Sequence, residues 1–238
     1  MNEIAVGNKT TDNIRTVSDA KRDFYQHHTR PINSVYRRVV EELLVEMHLL
    51  SVNVDFKSDP IYDLGVVTSF ERLMQGYRPE QDKESIFNAL CRAVGEDPER
   101  NRAQAGSVLN IAKNKSPQEL VSWFSEPTPI DNNYDIIEPI KAIASNPHFK
   151  YSRLFAIGIY TLLEESDPEI LKDVSQRNEI LESIATQLHL PAEKMNKDLE
   201  LYRGNLEKME QLLSVIEDVL QAGRKQKNQP KQEPETAE

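Results

Sequence analysis

Five histidines, one cysteine and scattered carboxylates are the side chains of this 238-residue chain best suited to chemistry, and their spacing decides which chemistry is open. A helical di-iron site needs Glu-x-x-His pairs projecting from facing helices. No histidine meets that pattern: three residues before His27, His28, His48, His148 and His189 stand Phe24, Tyr25, Val45, Ser145 and Thr186. Glu42, Glu46 and His48 lie close in sequence, yet two residues along a helix turn a side chain through about 200°, so Glu46 and His48 point apart. The neighbours His27 and His28 diverge in the same way. Ser18-Asp19-Ala20-Lys21 spells the Ser-x-x-Lys of serine acyl enzymes without its companion motifs, and Ser18 reads better as a helix N-cap. Cys91, beside Leu90 and near Phe87, reads as a small buried hydrophobe. The eight glycines nowhere form Gly-x-Gly, which excludes a phosphate-cradling loop of Rossmann or Walker type. These residues point to no catalytic, metal or cofactor site. The chain reads as a binding or scaffolding protein.

The elements around these residues are helical. Thr16-Val17-Ser18-Asp19 offers N-caps for a short helix that His27-His28-Thr29-Arg30-Pro31 breaks, and Pro31 suits the first position of the next. From Ile32 the apolar residues Val35, Tyr36, Val39, Val40, Leu43, Leu44, Met47 and Leu50 keep three-and-four spacing, which predicts a buried stripe. Asp59-Pro60, Asp97-Pro98, Ser116-Pro117, Asn146-Pro147 and Asp167-Pro168 each read as a cap followed by a first-turn proline. Gly76 and Gly95 suit left-handed helix stops. Glu126-Pro127-Thr128-Pro129 reads as a rigid loop, and Pro139 interrupts a helix around Ile136 to Ile143. Val52-Asn53-Val54-Asp55-Phe56 alternates like a strand but has no second strand to pair with, so it reads as an extended loop. The fold class is all-α.

The last helix is different in kind. After Pro191, apolar residues at Met195, Leu199, Tyr202, Leu206, Met209, Leu213, Ile216 and Leu220 step by fours and threes, a 3.5-residue coiled-coil repeat. A helix over 191–222 is about 48 Å long, more than one compact face covers, so part of it is expected to project; the alternative is a long core helix with its stripe fully buried. Gly204 and Asn205, weak helix formers, mark where it leaves the body. The expected organisation is a flexible N-terminus over 1–15, a single helical bundle over 16–190, the long helix over 191–222 and a polar, aperiodic, disordered tail over 223–238.

Charge and composition narrow the partners. Thirty-nine acidic against 29 basic residues give a net charge of −10, with no basic block to neutralise phosphates, which argues against nucleic acid. The first fifty residues are balanced, seven basic against seven acidic, so the excess lies downstream. One cysteine forms no intrachain disulfide and fits a reducing compartment. The opening residues carry no secretory apolar region, and the most apolar run, 154–163, is about half a membrane span.

Blocks along the chain carry a resemblance: T-V-S-D-A-K-R (16–22), H-T-R-P-I (28–32), Y-R-R-V-V (36–40), E-L-L-V-E-M-H-L-L (42–50), L-G-V-V-T-S-F (64–70), Y-S-R-L-F-A-I-G-I-Y-T-L-L-E (151–164) and K-D-L-E-L-Y-R-G-N-L-E-K-M (197–209). With them the chain resembles the thylakoid formation protein family of cyanobacteria and chloroplasts, a photosystem II biogenesis factor, from Thr16 to about Ala222. Ser58 departs from the pattern, which has a tyrosine before Asp59-Pro60. The resemblance implies a non-enzymatic, cofactor-free accessory factor for photosystem II assembly and repair. Its implied partner is the membrane-anchored thylakoid FtsH-type protease complex, with photosystem II components beside it. Its implied place is the cyanobacterial cytoplasm, held peripherally at the thylakoid membrane through other proteins. Leu206, Met209, Leu213 and Ile216 are the expected partner-binding anchors, with Lys21, Arg22 and Arg30 next. The alternative is a pigment- or metal-binding helical protein at the same membrane, with Tyr151, Phe155 and Tyr160 lining a pocket, although core packing explains their spacing better.

Overall fold

The computed structural model describes residues 15–128 and 134–227, which form ten α-helices and one 3-10 turn. α1 (Val17–His27) starts at Thr16 rather than Ser18: the Thr16 hydroxyl accepts from the Asp19 amide at 3.2 Å while the Asp19 carboxylate accepts from the Thr16 amide at 3.0 Å. α2 (Ser34–Ser51) starts later than Pro31 suggests, because the Asn33 side chain takes the Val35 amide and caps the helix there. α3 (Pro60–Leu73) is capped by Asp59 as its sequence indicates, and Gly76 beyond it is left-handed at φ +73°. α4 (Asp82–Ala93) stops before Gly95, at φ +84°. α5 (Pro98–Ala112) and α6 (Pro117–Ser125) follow their Asp97 and Ser116 caps. α7 (Tyr134–Ser145) runs through Pro139 without a break.

α8 (Arg153–Ser166) is capped by Ser152, not by Asn146-Pro147. The Asn146 side chain instead takes the His148 amide at 3.0 Å and closes a turn on itself. Asp167-Pro168 opens only a 3-10 turn, Pro168–Leu171; α9 (Val174–Gln187) has its own cap in Asp173. α10 (Ala192–Lys227) continues past Ala222, so residues 223–227 are helical rather than tail. The proposed flexible start, up to residue 14, Pro129 and the tail beyond 227 lie outside the described residues. Arg15, assigned to that start, is fixed between α1 and α4 by Asp23 and the Ala93 carbonyl. The described residues contain no strand, and 52–56 is folded rather than extended: the Phe56 amide donates to the Asn53 carbonyl at 3.1 Å.

Two helices form the centre. Every residue of α3 from Pro60 to Phe70 is buried, and so is every residue of α8 from Leu154 to Leu163, the most apolar run of the chain. They pack on one another more extensively than any other pair, and glycine makes it possible. A Cβ on Gly65 would overlap the Leu154 carbonyl oxygen, and one on Gly158 would overlap the Ile61 carbonyl oxygen. Each glycine thus faces the carbonyl one helical turn before the other glycine, and the backbones touch directly. α5, α7, α2 and α10 pack around α3, while α1 lies on α4 and α6 on α9.

Candidate functional site

The stripe of α2 is too wide for one buried face. Its apolar residues come as adjacent pairs; in the first two one member, Tyr36 or Val40, enters the core, and in the third both Leu43 and Leu44 do. The other members turn aside: Val35 is 39% exposed and Val39 half-buried, contrary to the expectation that the whole stripe is core. They form one wall of an open groove of about 470 Å³, with Leu43 at its base. α10 forms the other wall, from Tyr202 to Leu212, and α3 and α8 supply a floor of Leu73, Leu154 and Ile157. The buried Ser69 hydroxyl also lies there, without a hydrogen-bond partner among the described residues.

The walls run from Val35 to Glu46 and from Tyr202 to Leu212, about 15 Å each, or three helical turns. The rim is charged. Arg38 pairs with Glu42 at 2.9 Å, Arg153 pairs with Glu46, and Lys208 stands on the α10 side. Burial pushes the Glu46 carboxyl up, and the Arg153 guanidinium opposes this. An apolar trough with a charged rim has the make-up of a docking surface.

Along α10 the repeat leaves the core gradually. Met195, Leu199 and Tyr202 are buried, Leu206 is half-buried, Met209 is buried at 9% exposure, Leu213 is half-buried and Ile216 is 43% exposed. The departure therefore comes after Leu213, eight residues beyond Asn205 of the Gly204-Asn205 pair expected to mark it. Leu213 sits where a Cβ on Gly76 would strike it, so glycine at that left-handed turn makes room for α10. Beyond, Ser214, Val215 and Ile216 are exposed; the Leu220 side chain lies outside the described residues.

The four expected anchors thus do not share one surface. Met209 faces the groove, Leu206 lines a separate polar hollow with Arg72 and Glu164, Leu213 holds the helix to Gly76, and Ile216 is free. The expected cations are engaged within the chain: Lys21 with Glu41 at 2.8 Å, Arg22 with Asp19 at 2.8 Å, and Arg30 with the buried Asp82 at 2.7 Å. Tyr151, Phe155 and Tyr160 share no cavity. Tyr151 donates to Asp198 at 2.9 Å, Phe155 is core, and Tyr160 lines the hollow beside Arg72. The groove wall on α2 is what sequence reasoning missed, and the doubled apolar positions 35/36, 39/40 and 43/44 were its signal. Among the described residues, no helix is long and apolar enough to cross a membrane.

Comparison with known proteins adds the family. The model of the thylakoid formation protein family matches residues 16–231. Protein Thf1 of Gloeothece citriformis is 61% identical over 221 residues, covering 92% of this chain and 98% of that protein. Protein Thf1 of Nostoc punctiforme is 58% identical over 222 residues, covering 93% and 94%. The solved structure of Psb29 superposes with a TM-score of 0.78 at 41% identity, covering 90% of this chain and all of that one.

Proposed function

Because the chain belongs to the thylakoid formation protein family, we propose that it is a non-enzymatic accessory factor of thylakoid and photosystem II biogenesis. It works by docking, and the partner is a thylakoid FtsH-type protease complex that it stabilises or presents. The observation that carries this reading is the three-turn apolar groove between α2 and α10, continued by the exposed start of the α10 end at Val215 and Ile216. A trough of that length between two helices suits an amphipathic helix with anchors at three-and-four spacing, and the charged rim sets its orientation. Association with the membrane is peripheral and runs through the partner.

Pull-down from detergent-solubilised thylakoid membranes tests it. Val35→Asp and Ile216→Asp alter side chains that are already exposed, so the fold is retained. Each variant is expected to reduce recovery of the protease complex at least tenfold at an unchanged melting temperature. Full recovery with both replaced sinks the docking surface.

A further inference from the structure

Across α2 from the groove lies a second, wider hollow of about 910 Å³. It follows the outer face of α2 from Ser34 to Leu50, and Lys21 of α1 and Lys150, Ser152 and Arg153, where the chain enters α8, complete it. Two ion pairs form the ridge between groove and hollow. Arg38 with Glu42 at 2.9 Å and Arg153 with Glu46 line both, so the two concavities are one continuous surface.

The charges of the hollow do not balance. Five cations, Lys21, Arg37, Arg38, Lys150 and Arg153, stand there against three carboxylates, in a chain whose net charge is −10. Every carboxylate is taken: Glu41 by Lys21 at 2.8 Å, Glu42 by Arg38 and Glu46 by Arg153. Glu41 also accepts from the Tyr25 hydroxyl at 3.2 Å. Arg37 and Lys150 are left over, both exposed and neither in an ion pair among the described residues. The same hollow carries Leu49, 57% exposed, one turn beyond half-buried Val45. Apolar contact beside unpaired charge of one sign suits a segment that carries the other sign.

Granted that the groove docks the protease complex, we propose that the same partner crosses the ridge and lays an acidic segment in the hollow. Its carboxylates meet Arg37 and Lys150, and an apolar side chain covers Leu49. A peptide segment can set single carboxylates against those two cations and keep clear of Glu42 and Glu46. A layer of anionic lipid headgroups cannot choose in this way, and a bilayer does not follow a concave surface.

Pull-down of the protease complex from detergent-solubilised thylakoid membranes, read by immunoblot at about 50 and 500 mM salt, tests this. Arg37→Glu with Lys150→Glu alters two exposed side chains, so the melting temperature is retained. This pair is expected to lower recovery about tenfold at low salt and to lose most of the salt dependence of the unaltered chain. Lys113→Glu with Lys197→Glu, exposed and outside both concavities, changes the net charge equally and is expected to recover the complex in full. Carbodiimide joins an amine to a carboxyl in direct contact, and is expected to link Lys150 to an Asp or Glu of the partner. Full recovery by the Arg37 and Lys150 pair, while Val35→Asp still fails, overturns the acidic contact and leaves the groove reading standing. Full recovery with Val35→Asp and Ile216→Asp together removes the groove reading, and this one with it. An equal loss in the control pair, or no link at Lys150, also overturns the acidic contact. So do phosphatidylglycerol vesicles that bind the unaltered chain but not the Arg37 and Lys150 pair, because the hollow then serves a lipid surface.

Discussion

His28 has the environment of a core residue and the chemistry of a switch. It is 1% exposed, its Nδ1 bonds to the Ser85 hydroxyl at 3.0 Å, and its Nε2 has no hydrogen-bond partner among the described residues. Burial holds its pKa below the ordinary value, against the pull of Asp82 and with the help of Arg30. A histidine depressed in the folded state must take up a proton on unfolding, so its contribution is lost as pH falls below about 6.5. Chemical denaturation of the chain and of His28→Gln at pH 7 and pH 5.5 is expected to show that loss as the difference between the two, because the buried carboxyls of Asp59 and Asp63, which act in the opposite sense, are common to both. Leu43, 5% exposed at the base of the groove, makes a second test: Leu43→Ala is expected to cost about 2–5 kcal/mol in a denaturant titration. The sequence showed His28 only as a residue without a metal-binding partner. Its burial depends on α4 lying against α1, a long-range contact that no local pattern encodes.

At the level of elements, caps were more legible than prolines. Asp59, Asp97 and Ser116 caps stand where their short side chains meet a following first-turn proline. At Asn146 the same signal gave a turn, because a side chain that bonds the amide two residues on has no preference between a helix start and a turn. The crossing of α3 and α8 was not legible at all: Gly65 and Gly158 look like weak points inside apolar helices until the facing backbone is known. Gly65→Ala or Gly158→Ala sets a methyl against a carbonyl rather than against a flexible side chain. Each is expected to cost about 3 kcal/mol or more in denaturant titration. A gain of up to about 1 kcal/mol, as for an unobstructed helical Gly→Ala replacement, would mean that the two helices part easily.

For the whole molecule, α10 contributes to the core along its first part, and the proposed function adds a docking role at its end. A chain ending at Leu190 loses Met195, Leu199 and Tyr202 from the core and is expected to lose its cooperative melting transition. A chain ending at Ser214 keeps every one of those contacts and is expected to melt within a few degrees of the full chain. It should also fail to recover the protease complex, which separates the folding role from the docking role. The repeat announced a long helix in advance; the length of the body it rests on was invisible in it. The repeat also has a handedness. A seam repeating every seven residues drifts around a straight helix by about 20° per heptad, or about 60° across the three heptads from Met195 to Ile216. The same geometry that takes the seam off the bundle also turns it sideways. A companion helix that follows it must wind to the left, and a straight one stays in register for little more than a heptad.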